Sequence, residues 1–164
     1  MKLLIKQKVF SWRDRFSVYG EDLTERYQVT GELFTFGKKL RVCDMEGNEV
    51  SYISQRLFTF LPRYFISQNG TEIAEVKKEL SFIKQTYSVA ELGWHIDGSF
   101  SKHDYTIKDT AGRIVAEIKK QWFTWGDTYM IDISNPSDEL TVLCTVIIID
   151  AVMASESAST SGRA

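Results

Sequence analysis

Two histidines, His95 and His103, are the side chains in this sequence best suited to metal or base chemistry. His95-x-Asp97 and His103-Asp104 could in principle offer four ligands from what read as neighbouring strands, but ordinary strand and turn positions are the favoured reading. Asp150 is the odd carboxylate, set in an otherwise apolar run. Burying it unpaired is costly, so it should find hydrogen-bond donors or reach solvent. A structural polar lock is its expected role, ahead of a catalytic acid. Cys43 and Cys144 lie far apart with no C-x-x-C spacing, which reads as packing residues in a reducing compartment. Neither G-x-x-x-x-G-K-[ST], G-x-G-x-x-G nor G-x-S-x-G is present. These residues predict neither an active site nor a cofactor.

The elements that position these side chains follow from an internal repeat. Lys8-Val9-Phe10-Ser11-Trp12 resembles Glu32-Leu33-Phe34-Thr35-Phe36, Arg56-Leu57-Phe58-Thr59-Phe60 and Gln121-Trp122-Phe123-Thr124-Trp125. Glu79-Leu80-Ser81-Phe82-Ile83 and Gly98-Ser99-Phe100-Ser101 are weaker copies. Each copy continues, after a short polar stretch, into a large apolar residue, a variable one and a β-branched one. These triples are Phe16-Ser17-Val18, Leu40-Arg41-Val42, Tyr64-Phe65-Ile66, Tyr87-Ser88-Val89, Tyr105-Thr106-Ile107 and Tyr129-Met130-Ile131. Period-two alternation of this kind is a strand signal, and strand, short loop, strand is a hairpin. Six hairpins give about twelve strands. Gly47, Gly70 and Gly112 follow polar runs between hairpins, where tight turns favour glycine, and apolar residues recur three and six positions later. The Trp and Phe positions of the repeat read mostly as core or girdle residues.

Asn135-Pro136-Ser137-Asp138-Glu139 reads as a helix start, with Asn135 capping, Pro136 in the first turn and acids at the positive end of the helix dipole. Leu140 to Met153 is then almost wholly apolar, so the helix must be buried or in lipid. The run is short for a membrane span and contains Asp150, which favours burial. A barrel of about twelve strands leaves a lumen that a helix roughly 10–12 Å across can fill. The expected fold is therefore all-β with one helix. A closed antiparallel barrel over residues 1–154 surrounds a central helix at about 136–153, and a disordered polar tail follows at 155–164. The N-terminal apolar stretch is too short for a signal peptide, and the protein is expected in the cytoplasm.

The repeated F-[ST]-[FW] hairpins, the run W-F-T-W-G-D-T-Y from Trp122 to Tyr129, and D-E-L before an apolar helix ending I-D-A-V at Val152 resemble the LURP-one-related family. The resemblance, to a prokaryotic member, covers nearly everything to about residue 153. That family sits in the tubby C-terminal-like superfamily, so the resemblance implies a twelve-stranded barrel around a central helix. Tubby domains bind phosphoinositides at a cationic surface and the related scramblases act at membranes, but the tubby binding residues find no match here. The family implies a fold more than a function.

The net charge of −2 argues against a general nucleic-acid binder, and no recognition motif for nucleic acid is present. An up-and-down barrel would nevertheless sort charge by end. Arg13, Arg15, Lys38, Lys39, Arg63, Lys84 and Lys102 fall at hairpin tips against Asp14, Asp104 and Asp127. Glu21, Asp22, Glu25, Asp44, Glu46, Glu49, Glu72, Glu91 and Asp109 fall at the links against Arg26 and Arg113. Trp12, Phe36, Leu61, Ile83 and Trp125 stand near the tips, and cations beside tryptophan suit an anionic membrane interface, although charged turns kept soluble, with aromatics folded back over the barrel end, account for the same residues. The leading expectation is thus a non-enzymatic module, peripheral at the membrane, that binds acidic phospholipid or another anionic ligand. Its site would be Arg13, Arg15, Lys38, Lys39, Arg63, Lys84 and Lys102 with Trp12 and Trp125. A scaffold binding a protein partner, through an exposed hairpin or the acidic end, is the first alternative. An enzyme with a site near His95, His103 and Asp104 is the second.

Overall fold

The computed structural model describes residues 1–7, 15–32, 35–80, 84–121 and 127–161. Within them lie twelve strands: β1 (Lys2–Gln7), β2 (Arg15–Gly20), β3 (Glu25–Gly31), β4 (Lys39–Cys43), β5 (Glu49–Gln55) and β6 (Arg63–Gln68) make the first half. The second half is β7 (Thr71–Glu79), β8 (Thr86–Val89), β9 (Trp94–Ser99), β10 (Asp104–Lys108), β11 (Ile114–Gln121) and β12 (Asp127–Ile133). Each strand pairs antiparallel with its neighbours in sequence, and β1 pairs with β12 to close the barrel. The topology is strictly up-and-down. All hairpin tips therefore leave at one end and all links at the other.

The alternation of the repeat builds the inner wall. The first and third residues of five triples face inward and are buried: Leu40 and Val42, Tyr64 and Ile66, Tyr87 and Val89, Tyr105 and Ile107, and Tyr129 and Ile131; in the first triple Val18 is buried and Phe16 partly so. Four register shifts fall just after the same point of the repeat, beside Val18, Val42, Ile66 and Ile107. A bulge there sharpens the local twist, which helps the sheet curl shut. The link glycines Gly47, Gly70 and Gly112 take φ of +87°, +74° and +76°. An added Cβ would meet nothing within 4 Å at any of them, so backbone angle alone selects glycine there.

A short 3-10 turn at Pro136–Asp138 leads into the central helix α1 (Glu139–Ser161). Asn135 starts it as expected, its side chain accepting from the Ser137 N–H at 3.2 Å. Every residue from Val142 to Val152 is buried. Each fully buried Val, Leu or Ile side chain contributes about 1.5–3 kcal/mol, so this plug is a major part of the core. The helix is long and apolar enough to cross a membrane by length and composition. In this fold its apolar run is instead enclosed by the barrel. It also continues past Ala154, where composition predicts a disordered tail: Ser155 to Ser161 are helical. There Ser155, Ser157, Thr160 and Ser161 donate their hydroxyls to carbonyls four residues back. These bonds satisfy the hydroxyls within the helix without themselves stabilising it.

Candidate functional site at the hairpin-tip end

The helix runs from the link end to the tip end, and its last turns meet a polar collar at the barrel mouth. Asp150 accepts from the Tyr129 hydroxyl and lies 3.1 Å from His103 Nε2. The His103 ring stacks on Tyr129 with centroids 4.3 Å apart. All three side chains are buried, so Asp150 does find the partners its burial demands. His103 reaches inward because it ends the β9–β10 turn at a left-handed φ of +49°. Tyr105 and Tyr87 stand nearby with buried hydroxyls that lack a protein partner among the described residues. Burial, reinforced by the Asp150 charge, pushes the Tyr105 and Tyr129 hydroxyls well above the ordinary tyrosine range. Lys38 meets the Ser155 hydroxyl, and Lys78 meets Glu156. Burial lowers the Lys38 pKa. The collar fixes the depth and rotation of α1 in the barrel.

The four-ligand arrangement offered by the histidines does not form. His95 is exposed on β9 and His103 turns into the mouth. Among the described residues no group of three or more His, Cys, Asp or Glu is placed to hold a metal ion. Cys144 is wholly buried in the helix and burial pushes its thiol up to about 12, whereas Cys43 is partly exposed.

Outside the barrel, the tip end carries a second cluster. Glu75 on β7 points outward yet is only 7% exposed, because cations crowd it. Arg56 and Arg63 place Nη1 at 3.5 and 3.7 Å from its Oε1, and Lys77 Nζ lies 3.5 Å from its Oε2. The Arg56 guanidinium also sits 5.4 Å from the centroid of the Phe65 ring. The residues come from the base of the β5–β6 tip and from β7, where Arg63 and Lys77 are opposite one another.

The expected site residues divide accordingly. Arg15, Lys84 and Lys102 are exposed, and Lys39 partly so, around the tip end. Arg63 belongs to the Glu75 cluster, and Lys38 is drawn into the mouth rather than onto the outer surface. Trp12, Arg13 and Trp125 lie outside the described residues. Arg56 and Lys77 are additions that the sequence reading missed. So are Phe58 and Phe60, 105% and 91% exposed, whereas Phe36, expected near a tip, is 89% exposed. These described copies of the F-[ST]-[FW] motif are not core: the β5–β6 ladder ends at the Arg56 N–H to Arg63 C=O bond, leaving residues 57–62 as a tip. The signal was available in Arg56, the basic residue that opens that copy of the repeat.

The link end is acidic, but several of its carboxylates have structural work. Asp44 accepts from the Asn48 backbone and side chain, Asp109 from Ala111 and Arg113, and Asp22 from Thr24. These bonds hold all three acids below the usual carboxylate range. A cleft of about 390 Å³ lined by Met1, Lys2, Gly20, Glu21, Asp22, Thr24 and Arg26 also opens there, with charges of both signs.

Three comparisons bear on this arrangement. A family model described as LURP-one-related matches residues 1–150. An uncharacterized Bacillus subtilis protein, YxjI, is 33% identical over 153 residues, covering 93% of this chain and 94% of that one. A solved structure of an Arabidopsis thaliana protein superposes with a TM-score of 0.69 at 15% identity, over 92% of this chain and 90% of that one. At that identity the likeness supports the fold alone.

Proposed function

The chain belongs to the LURP-one-related family, and from the charge distribution of its barrel we propose that it is a non-enzymatic module that docks its hairpin-tip end on acidic phospholipid. The observation that carries this reading is the segregation of charge by an up-and-down topology. Arg15, Lys39, Arg63, Lys84 and Lys102 gather at the tip end, joined by Lys6, Arg56, Lys77, Lys119 and Lys120 near the tip-ward ends of strands, with Glu32, Glu75, Glu79, Asp104 and Asp127 in partial opposition. Each such cation near an anionic leaflet contributes about 1 kcal/mol, so several together hold a protein there reversibly. The acids at the link end lend less support to a protein-binding face, because Asp22, Asp44 and Asp109 are bonded within their own turns.

Co-sedimentation with phosphatidylcholine vesicles, with and without phosphatidylglycerol, tests the reading. Binding is expected to favour the anionic vesicles and to weaken as salt rises. Lys39→Glu with Lys84→Glu is expected to weaken it by about 2 kcal/mol or more. Lys38 is unsuitable for this test, since it is tied to Ser155 at the mouth. Equal binding to both vesicle types, or none, would sink the proposal.

A further inference from the structure

We propose that the β5–β6 hairpin is a membrane-insertion wedge, with Phe58 and Phe60 entering the acyl boundary of an acidic bilayer while Arg56, Arg63 and Lys77 hold lipid phosphates. The inference rests on the docking reading above and adds an apolar component to it.

Phe58 is fully exposed at a left-handed φ of +59°, an outlier for a bulky residue. Such strain persists where surrounding structure enforces it, and it gathers at working sites. Here the enforcement is visible: the Arg56 N–H donates to the Arg63 carbonyl at 2.9 Å, and the Lys78 N–H donates to the Pro62 carbonyl at 3.1 Å. The tip is thereby pinned at its base with its two rings held off the protein. No contact among the described residues rewards that arrangement, whereas a hydrocarbon boundary would.

The base of the same tip supplies the matching polar layer. Glu75 draws Arg56, Arg63 and Lys77 into one cluster, and even with the Glu91 carboxylate, which accepts from the Glu75 N–H at 3.0 Å, three cations against two acids leave a small positive excess. Both guanidiniums keep substantial exposure, at 50% and 40%. Arginine's fork suits phosphate oxygens, and Phe65 beneath Arg56 fixes one fork in place. Rings at the tip and cations at the base reproduce the order of acyl chains and headgroups in a bilayer. This charge complementarity selects an anionic lipid surface over an apolar protein groove.

Partitioning onto phosphatidylcholine–phosphatidylglycerol vesicles would be compared for the wild-type protein and the double variant Phe58→Ser, Phe60→Ser, at low and high salt. Both side chains are exposed, so the variant should fold, as circular dichroism would verify. At low salt the variant is expected to bind about tenfold or more weakly than wild type. At high salt wild type should retain binding that the variant has lost, because salt screens the cations and leaves the rings. Arg56→Gln with Lys77→Gln should weaken binding at low salt far more than at high salt. Equal partitioning of the wild type and the Phe variant at both salts would overturn the wedge while leaving tip-end docking intact. No vesicle binding by the wild type would remove the docking reading itself. A wild-type dimer in analytical ultracentrifugation, monomeric in the Phe variant, would also overturn the wedge by assigning the rings to a second copy of the chain.

Discussion

Asp150→Ala is expected to lower the unfolding free energy by about 3–5 kcal/mol, the cost of breaking a buried polar pair by removing one partner. The carboxylate serves two neighbours at once, the Tyr129 hydroxyl and His103 Nε2, and all three side chains are buried. Without it, Tyr129 and His103 keep their burial and lose the hydrogen bond each makes to Asp150. At about 2–4 °C per kcal/mol for a chain of this size, the melting temperature should drop by roughly 10 °C. Asp150→Asn retains an acceptor and should cost less. A double-mutant cycle between Asp150→Ala and His103→Ala should return a coupling of about 0.5–3 kcal/mol, since the two share one hydrogen bond. An Asp150→Ala protein within 1 kcal/mol of wild type would show that the collar does not fix the helix.

Gly98→Ala is expected to be nearly as damaging for a different reason. Gly98 sits opposite Tyr105 with φ +140°, and an added Cβ would stand 2.6 Å from both the Asp104 carbonyl oxygen and the Tyr105 Cα. Both are backbone atoms, so no rotamer relieves the overlap. Strain at the angle and overpacking each cost about 1–3 kcal/mol, giving roughly 2–6 kcal/mol together. Gly47→Ala is the internal comparison. It shares a positive φ but meets nothing within 4 Å, so only the angle is penalised, by about 1–2 kcal/mol. Chemical denaturation of the two variants separates the effects, and equal losses would refute the close-approach explanation for Gly98.

Much of the architecture is legible in local pattern. The triples from Phe16-Ser17-Val18 to Tyr129-Met130-Ile131 lie in every second strand, the turn glycines take the positive φ their context implies, and Asn135-Pro136 opens the plug. What escapes the pattern depends on pairing across distance. Phe58 and Phe60 alternate like a strand, and only the end of the β5–β6 ladder at Arg56 and Arg63 reveals a tip. His103 reads as a turn residue because its partner, Asp150, lies 47 positions away. Arg56, Arg63 and Lys77 become one cluster only when the β5–β6 hairpin is laid against β7 around Glu75. Asp150 was the exception, since a carboxylate within a buried apolar helix announces that it needs donors.

Hydrogen–deuterium exchange on the vesicle-bound protein tests the orientation directly. Amides of the tips, residues 56–61 and 36–39, are expected to exchange more slowly on phosphatidylglycerol-containing vesicles than in solution, while links 44–48 and 109–113 stay unchanged. Slowing at the links, or at neither end while the protein still sediments with vesicles, would contradict docking by the hairpin-tip end.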